Sequence, residues 1–250
     1  MTSAEDFDRW YADRVESPVA DELVSRMLGL PPDLQSTSLL TGTGLDEVVA
    51  ALNLREGQVL LDLACGRGGY GLEIVRRTGC RLIGVDFSAV AIDQARHRAT
   101  ELAIEAEFQV GGLTDIGLPA ASADALMIID AFQFAKPKLD ALAECRRVLR
   151  PGGRLVITTW EALDAADERL PLSMRQVDLA QQLPAAGFAD VEVTSKPEWR
   201  VIEKAFWQQS LAVDAGDDPA MQSMQAEARR VLEAFDLRRR VLATATAPLQ

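Results

Sequence analysis

A chain of 250 residues, 48% hydrophobic and 26% charged, has the make-up of a globular protein with one sizeable core. Its 38 acidic against 26 basic residues give a net charge of -12, which disfavours binding to nucleic acid or anionic membrane, where phosphate neutralisation dominates affinity. Three scattered cysteines exclude a disulfide framework, and with no signal segment or bilayer-length apolar run the expected compartment is the cytoplasm.

Residues 1 to about 55 read as an N-terminal helical cap. Phe7, Trp10 and Tyr11 share one helix face, and Leu23, Val24, Met27 and Leu28 share another. Pro31-Pro32 breaks the chain before a loop rich in Ser, Thr and Leu from Leu34 to Thr43, and Leu45 to Leu52 is a further short helix. After Gly57 strands and helices alternate. Val59–Leu63 is a first strand, followed by a glycine-rich turn and a helix over Leu72–Arg77. Arg81–Val85 is a second strand ended by Asp86, and Ser88 caps the next helix. Ala106–Val110 is a third strand. Ala125–Ile129 is a fourth, wholly apolar and so buried on both faces. A helix over Lys138–Leu149 leads through a turn at Pro151-Gly152-Gly153 to a fifth strand, Arg154–Thr159. Such alternation implies an α/β fold with a parallel, doubly wound sheet.

The last hundred residues give a helix at Val177–Ala186, a strand at Val191–Ser195, a helical insertion over about 200–236, and a closing strand at Val241–Ala247. The insertion holds two helices, Val201–Ala215 and Pro219–Phe235. The chain from 56 to 250 is thus expected to be one domain beneath the cap. Two basic runs, Arg146-Arg147 with Arg150 and Arg238-Arg239-Arg240, read as solvated helix ends, where cations suit the helix dipole.

Chemistry concentrates in the turn after the first strand. Gly66-x-Gly68-x-x-Gly71 satisfies the dinucleotide fingerprint. Asp62, just before it, would repel a pyrophosphate but suits a ligand carrying an ammonium group. Asp86 lies twenty residues after Gly66, where an acid accepts hydrogen bonds from ribose hydroxyls. That placement implies a nucleoside and leaves its identity open.

Asp62-Leu63-Ala64-Cys65-Gly66-Arg67-Gly68 resembles the first motif of class I S-adenosylmethionine (SAM) methyltransferases, D-x-[AG]-C-G-x-G. The likeness continues through Val85-Asp86-Phe87-Ser88, Gly117-Leu118-Pro119 and Ala123-Asp124-Ala125. It then takes in the run from Glu144 to Gly153, similar to the family's E-x-x-R-V-L-[KR]-P-G-G, and Ala185-Ala186-Gly187-Phe188. The resemblance is to the small-molecule branch, ubiquinone-type and natural-product enzymes. It implies a Rossmann-like seven-stranded sheet with an antiparallel last strand. It also implies methyl transfer to a small, apolar or aromatic metabolite, leaving S-adenosyl-L-homocysteine as product. A non-catalytic SAM-binding protein and an NAD(P)-dependent oxidoreductase are the alternatives.

Carried over by position, the resemblance gives the methionine part of SAM to Asp62 and the backbone of Ala64, Gly66 and Gly68. It gives the ribose to Asp86, the adenine face to Phe87, and the methionine end near the acceptor to Asp130. Gly112 stands where many relatives carry an acid, which passes the adenine edge to backbone near Leu113 or to Asp115. Tyr11 would reach the cofactor from the cap, and residues 1–45 would act as a lid that orders on binding.

By register, the acceptor pocket would take Trp10, Leu39 and Leu40 from the cap. It would take Phe132, Gln133, Phe134, Thr159 and Trp160 from the carboxyl edge, and Trp199 and Trp207 from the insertion. The only histidine, His97, falls on a sheet helix and is expected to be structural. Either the acceptor is then a nucleophile needing little help, or a carboxylate, Asp130 or Glu161, assists as base. One histidine and cysteines without ligand spacing predict no metal site.

Overall fold

The computed structural model describes residues 4–15, 17–34 and 37–249, so positions 35 and 36 of the expected Ser/Thr loop lie outside the described residues. Three helices open the chain: α1 (Ala4–Val15), α2 (Pro18–Leu28) and α3 (Gly42–Leu52). Then follow β1 (Val59–Leu63), α4 (Gly69–Thr78), β2 (Arg81–Asp86), α5 (Ala89–Glu101), β3 (Ala106–Val110) and β4 (Ala123–Ile129). A 3-10 turn at Phe132–Phe134 leads to α6 (Lys138–Val148) and β5 (Leu149–Ala162). The remainder is α7 (Leu172–Arg175), α8 (Leu179–Ala185), β6 (Ala189–Ser195), α9 (Pro197–Ala212), α10 (Pro219–Glu233) and β7 (Arg238–Thr246).

The seven strands form one sheet in the order β3-β2-β1-β4-β5-β7-β6. β1 to β5 pair in parallel, and β7 runs antiparallel to both β5 and β6. This is the expected doubly wound sheet with its antiparallel last strand. Among the described residues no helix is long and apolar enough to cross a membrane.

Strand parity sorts side chains onto two faces. Leu60, Met127, Val156 and Leu242 enter a core beneath α2 to α5, α9 and α10. Leu61, Leu126, Leu155 and Ala243 enter a second core against α6 and α8. Burying each such side chain contributes about 1.5–3 kcal/mol. The same parity carries Asp62 to the first face, toward α4, and puts the even-numbered residues at the start of β7 there as well.

Local chemistry starts the helices. Thr41, Ser88 and Asp218 accept from backbone N–H groups at the heads of α3, α5 and α10. Pro197 supplies the first position of α9, so that helix begins four residues earlier than hydropathy alone suggests. Asp178 caps α8, which is shorter than the expected Val177–Ala186.

Two expectations are corrected. Pro151-Gly152-Gly153 is not a free turn before the fifth strand. Leu149 already pairs with Ala123 and Arg154 with Ala125, so residues 150–153 bulge from within β5, with Gly152 at φ 77°. Arg238-Arg239-Arg240 is not a solvated helix end. α10 stops at Glu233 and the arginines open β7, where the pleat buries Arg238 and Arg240 on one face and turns Arg239 to the other. Arg146 and Arg147 do lie in the last turn of α6 on its exposed side.

Candidate cofactor-binding site

The glycine turn leaves β1 at the carboxyl edge of the sheet, where Ala64 (φ 61°), Gly66 (φ 54°) and Gly68 (φ 77°) all take left-handed backbone. Gly66 permits this at no steric cost, and a side chain there would also collide with the cap: a Cβ would come within 2.8 Å of Tyr11 Oη. Gly68 heads α4 with no side-chain cap, leaving N–H groups of the first turn directed at the edge.

Two acids end the neighbouring strands. Asp86 is held by backbone donors, Gly66 N–H to Oδ2 at 2.8 Å and Ser88 N–H to Oδ1 at 3.0 Å, with the Phe87 N–H a third. Burial pushes its pKa up, opposed by those backbone hydrogen bonds. Asp62 is more isolated. It is fully buried in β1, a Cβ on Gly71 would come within 2.8 Å of its carboxylate, and among the described residues no cation pairs with it. Burial first, and then the negative charge of Asp86, push its pKa from 3.8 to about 8. A buried acid without a cation fits a ligand that brings one.

The cap closes over this turn. Tyr11 is buried against Gly66, and burial and then Asp86 raise its pKa. The ring of Phe7 meets Phe87 edge-on at 5.1 Å and Phe134 at 5.7 Å, while Trp10 meets Tyr11 at 5.0 Å. Ser88 Oγ donates to Asp8, and Gln94 Nε2 to the Tyr11 carbonyl. Beneath the strap at 37–40 is a cavity of about 30 Å³ whose wall includes Thr37, Ser38, Asp62, Ala64, Arg67 and Tyr70. That is room for roughly two waters. Gly112 and Asp115 bond backbone to backbone across a tight turn after β3, which presents Leu113 at its tip.

Asp130 sits just past β4 at φ 55°, and its carboxylate is fully engaged. Thr158 Oγ1 (2.8 Å) and Arg240 Nη2 (2.6 Å) donate to Oδ1; Ser38 Oγ (2.9 Å) and Leu39 N–H (3.1 Å) donate to Oδ2. All four lone-pair positions are used. Arg240 also donates to the Leu39 carbonyl at 3.2 Å and stacks over Trp160 at 4.3 Å, so β7 helps to hold the strap down. Behind it Glu203 accepts from Trp160 Nε1 and Arg238. This alternating run of buried charges was invisible to hydropathy, and only reading 238–240 as a strand would have found it.

Glu161 is buried on the opposite face, accepting from Leu179 N–H at 2.9 Å and from Arg239 at 2.8 Å. Gln133 donates to the Asp130 carbonyl and accepts from Thr159. Lys138 Nζ caps the 3-10 turn through the carbonyls of Gln133 and Ala135, and burial pulls its pKa down to about 8. Leu40, Phe132, Trp199 and Trp207 pack into the two main cores, so packing accounts for their burial. Trp160 instead joins Leu170, Met174 and Leu39 in a small separate apolar cluster at the carboxyl edge. Phe134 is half exposed, and His97 lies on the exposed face of α5 beside Glu101. Sequence reasoning missed Thr37, Ser38, Arg67 and Tyr70; of these Arg67 and Tyr70 lay inside the glycine motif, at positions it leaves open.

Residues 60–153 match the family described as Methyltransferase domain. By that match, the stretch from β1 to the bulge in β5 is a methyltransferase domain. It is 30% identical to the sterol 24-C-methyltransferase of Saccharomyces cerevisiae over 144 residues, 55% of this chain and 37% of that protein. The chain thus spans about a third of the length of the curated relatives it first matches. Among solved structures it resembles Haemonchus contortus phosphoethanolamine N-methyltransferase 2 in complex with SAM, with a TM-score of 0.78 at 19% identity, covering 99% of this chain and 60% of that one. It also resembles the [4+2]-cyclase SpnF, with a TM-score of 0.72 at 23% identity and coverage of 82% and 81%. Those two likenesses establish the fold of the methyltransferase domain and, with a cyclase among them, leave the chemistry to the site.

Proposed function

We propose that this chain transfers a methyl group from SAM to a small, neutral and largely apolar acceptor, as a cytoplasmic enzyme of natural-product type. The observation that carries the reading is the buried Asp62 beside the glycine turn, which no cation pairs among the described residues, with Asp86 poised one strand away. Asp62 receives the ammonium of the cofactor, Ala64, Gly66 and Gly68 its methionine chain, and Asp86 its ribose hydroxyls. Phe87 and the Leu113 turn flank the adenine, with Tyr11 closing from the cap.

When bound, SAM supplies an electrophilic methyl on a sulfonium, already a good leaving group. The protein's work is alignment and exclusion of water. Strap 37–40, held by Asp130, Arg240 and Tyr70, does both, and residues 1–45 move as its lid. With every lone pair of Asp130 engaged and Glu161 held by Arg239, neither carboxylate is assigned as base. The acceptor is then a nucleophile that needs little deprotonation.

Acceptor polarity follows from charge. Arg238, Arg239 and Arg240 are each paired with a carboxylate, and Lys138 is spent on carbonyls. Trp160, Leu170, Met174 and Leu39 offer apolar surface instead. This favours a neutral acceptor over a phosphorylated one. Sterol methylation by relatives such as the yeast enzyme is in keeping with that.

The test is calorimetric titration with SAM, S-adenosylhomocysteine and NAD(P)H, followed by assay of homocysteine-product release with neutral apolar acceptors. Micromolar binding of the SAM pair that is lost in Asp86→Ala, with turnover on at least one neutral acceptor, supports the reading. Binding of NAD(P)H alone refutes it. Binding of SAM without turnover on any acceptor leaves a SAM-binding protein that does not transfer methyl.

A further inference from the structure

The cavity beneath the strap carries both signs of charge. Asp62 forms one part of its wall and Arg67, from the middle of the glycine turn, another. Arg67 is 4% exposed, unusual for an arginine in a loop, and its Nη2 donates to Asp21 Oδ1 at 2.6 Å. Asp21 belongs to the first turn of α2 in the cap. A carboxylate therefore already sits on this guanidinium. The uncapped head of α4 adjoins it, since Gly69 and Tyr70 line the same cavity, and N–H groups there favour negative charge. Hydroxyls of Ser38 and Tyr70 complete the polar wall.

An acid without a cation, a buried guanidinium and a helix N-terminus around one small cavity are the complement of a zwitterionic α-amino acid. Resting on the methyltransferase reading, we infer that Arg67 anchors the α-carboxylate of the cofactor's amino-acid end, and that Asp21 of the cap competes with that carboxylate for it. The ammonium goes to Asp62. The cavity of about 30 Å³ is too small for an amino-acid head group, so entry requires the strap residues in its wall, Thr37 and Ser38, to give way. The incoming carboxylate takes the place of Asp21 on the guanidinium. If Asp21 remained near, its like charge would repel the ligand; either way Asp21 opposes binding.

The experiment titrates the full chain with S-adenosylhomocysteine and with 5′-methylthioadenosine, which keeps the nucleoside and thioether and lacks the amino acid. Arg67→Gln is expected to weaken S-adenosylhomocysteine by roughly 10- to 100-fold, the worth of a hydrogen bond to a charged group, and to leave methylthioadenosine within about twofold. Asp21→Asn is expected to tighten S-adenosylhomocysteine by about threefold or more, again without effect on methylthioadenosine. Asp21 is partly exposed on the cap, so this variant reads the competition even where Arg67→Gln fails to fold. Equal loss of both ligands in Arg67→Gln, or no loss of either, overturns the anchor. Unchanged or weaker S-adenosylhomocysteine binding in Asp21→Asn overturns the competition. If the parent protein binds neither ligand, the cofactor reading itself has failed, and this inference falls with it.

Discussion

Asp62 makes the cofactor reading measurable through protons. Its pKa stands at about 8 in the folded chain against 3.8 in an exposed aspartate, with burial the main cause. At pH 7 about 0.9 of the molecules then carry the proton, and at pH 8 about 0.5. An ammonium docking within contact distance favours the ionised form and pulls the pKa back down. If it falls to about 5 or lower, binding releases about 0.9 proton per ligand at pH 7 and about 0.5 at pH 8. The assay is titration of S-adenosylhomocysteine in buffers of different ionisation enthalpy. The slope of observed enthalpy against buffer enthalpy is the proton count. Asp62→Asn should bring the slope close to zero and weaken binding. A parent slope near zero at pH 7, or one that survives in Asp62→Asn, would refute the assignment of the ammonium to this residue. The same shift has a sign for stability. Between about pH 4 and 8 the folded chain holds a proton that the unfolded chain has lost. Stability from this group is therefore complete below pH 4 and disappears as pH rises through 8, on the order of 5 kcal/mol in all. Asp62→Asn should flatten that part of the pH–stability curve, and ligand should do the same to the parent.

Three further outcomes are expected. Arg240→Met strands the Asp130 carboxylate in the core and leaves Glu203 with Arg238 as its cation, costing about 3–5 kcal/mol. At about 2–4 °C per kcal/mol the melting temperature should fall by about 6–20 °C; a drop under about 2 °C would mean the pair is dispensable. Gly66→Ala places a Cβ within 2.8 Å of Tyr11 Oη at φ 54°, so calorimetry should show cofactor-product binding weakened by about tenfold or more, and parent-like binding would dissociate the turn from the ligand. Glu161→Gln and His97→Gln should each keep the pH profile of turnover, because Glu161 is tied to Arg239 and Leu179 and His97 faces solvent; a lost limb in either would reinstate a base.

What the sequence made legible was whatever repeats locally. β1 shows as a short apolar run and β3 as a short alternating one, and both strands begin and end where those patterns do. Ser88 announces α5 because a cap needs only its own helix. Asp62 and Asp86 are readable because a strand end has a fixed relation to the sheet edge. The partners of Asp130 are not readable in that way. Arg240 lies 110 residues along the chain, and Ser38 lies 92 residues back, in a loop without periodicity. Leu40, Phe132 and Trp199 illustrate the converse: proximity to the edge suggested an acceptor pocket, whereas two cores of ordinary apolar contacts absorb them.

The arginine run at 238–240 shows why the remainder resists reading. Three consecutive cations look solvated in any hydropathy window, and on a helix they would be. On a strand, alternate residues part company. Arg240 crosses to Asp130 and Glu203, Arg238 to Glu203, and Arg239 to Glu161 on the other face. Each carboxylate comes from a different element, β5, α9 or the loop after β4. Burying these charges singly would be prohibitive, and together they are close to neutral. The network therefore ties the last strand, the helical insertion and the strap to one point at the carboxyl edge. That coupling explains how a substitution in β7, remote in sequence from every glycine of the turn, would reach the cofactor: losing Arg240 releases both the Asp130 carboxylate and the Leu39 carbonyl from the segment that closes the cavity.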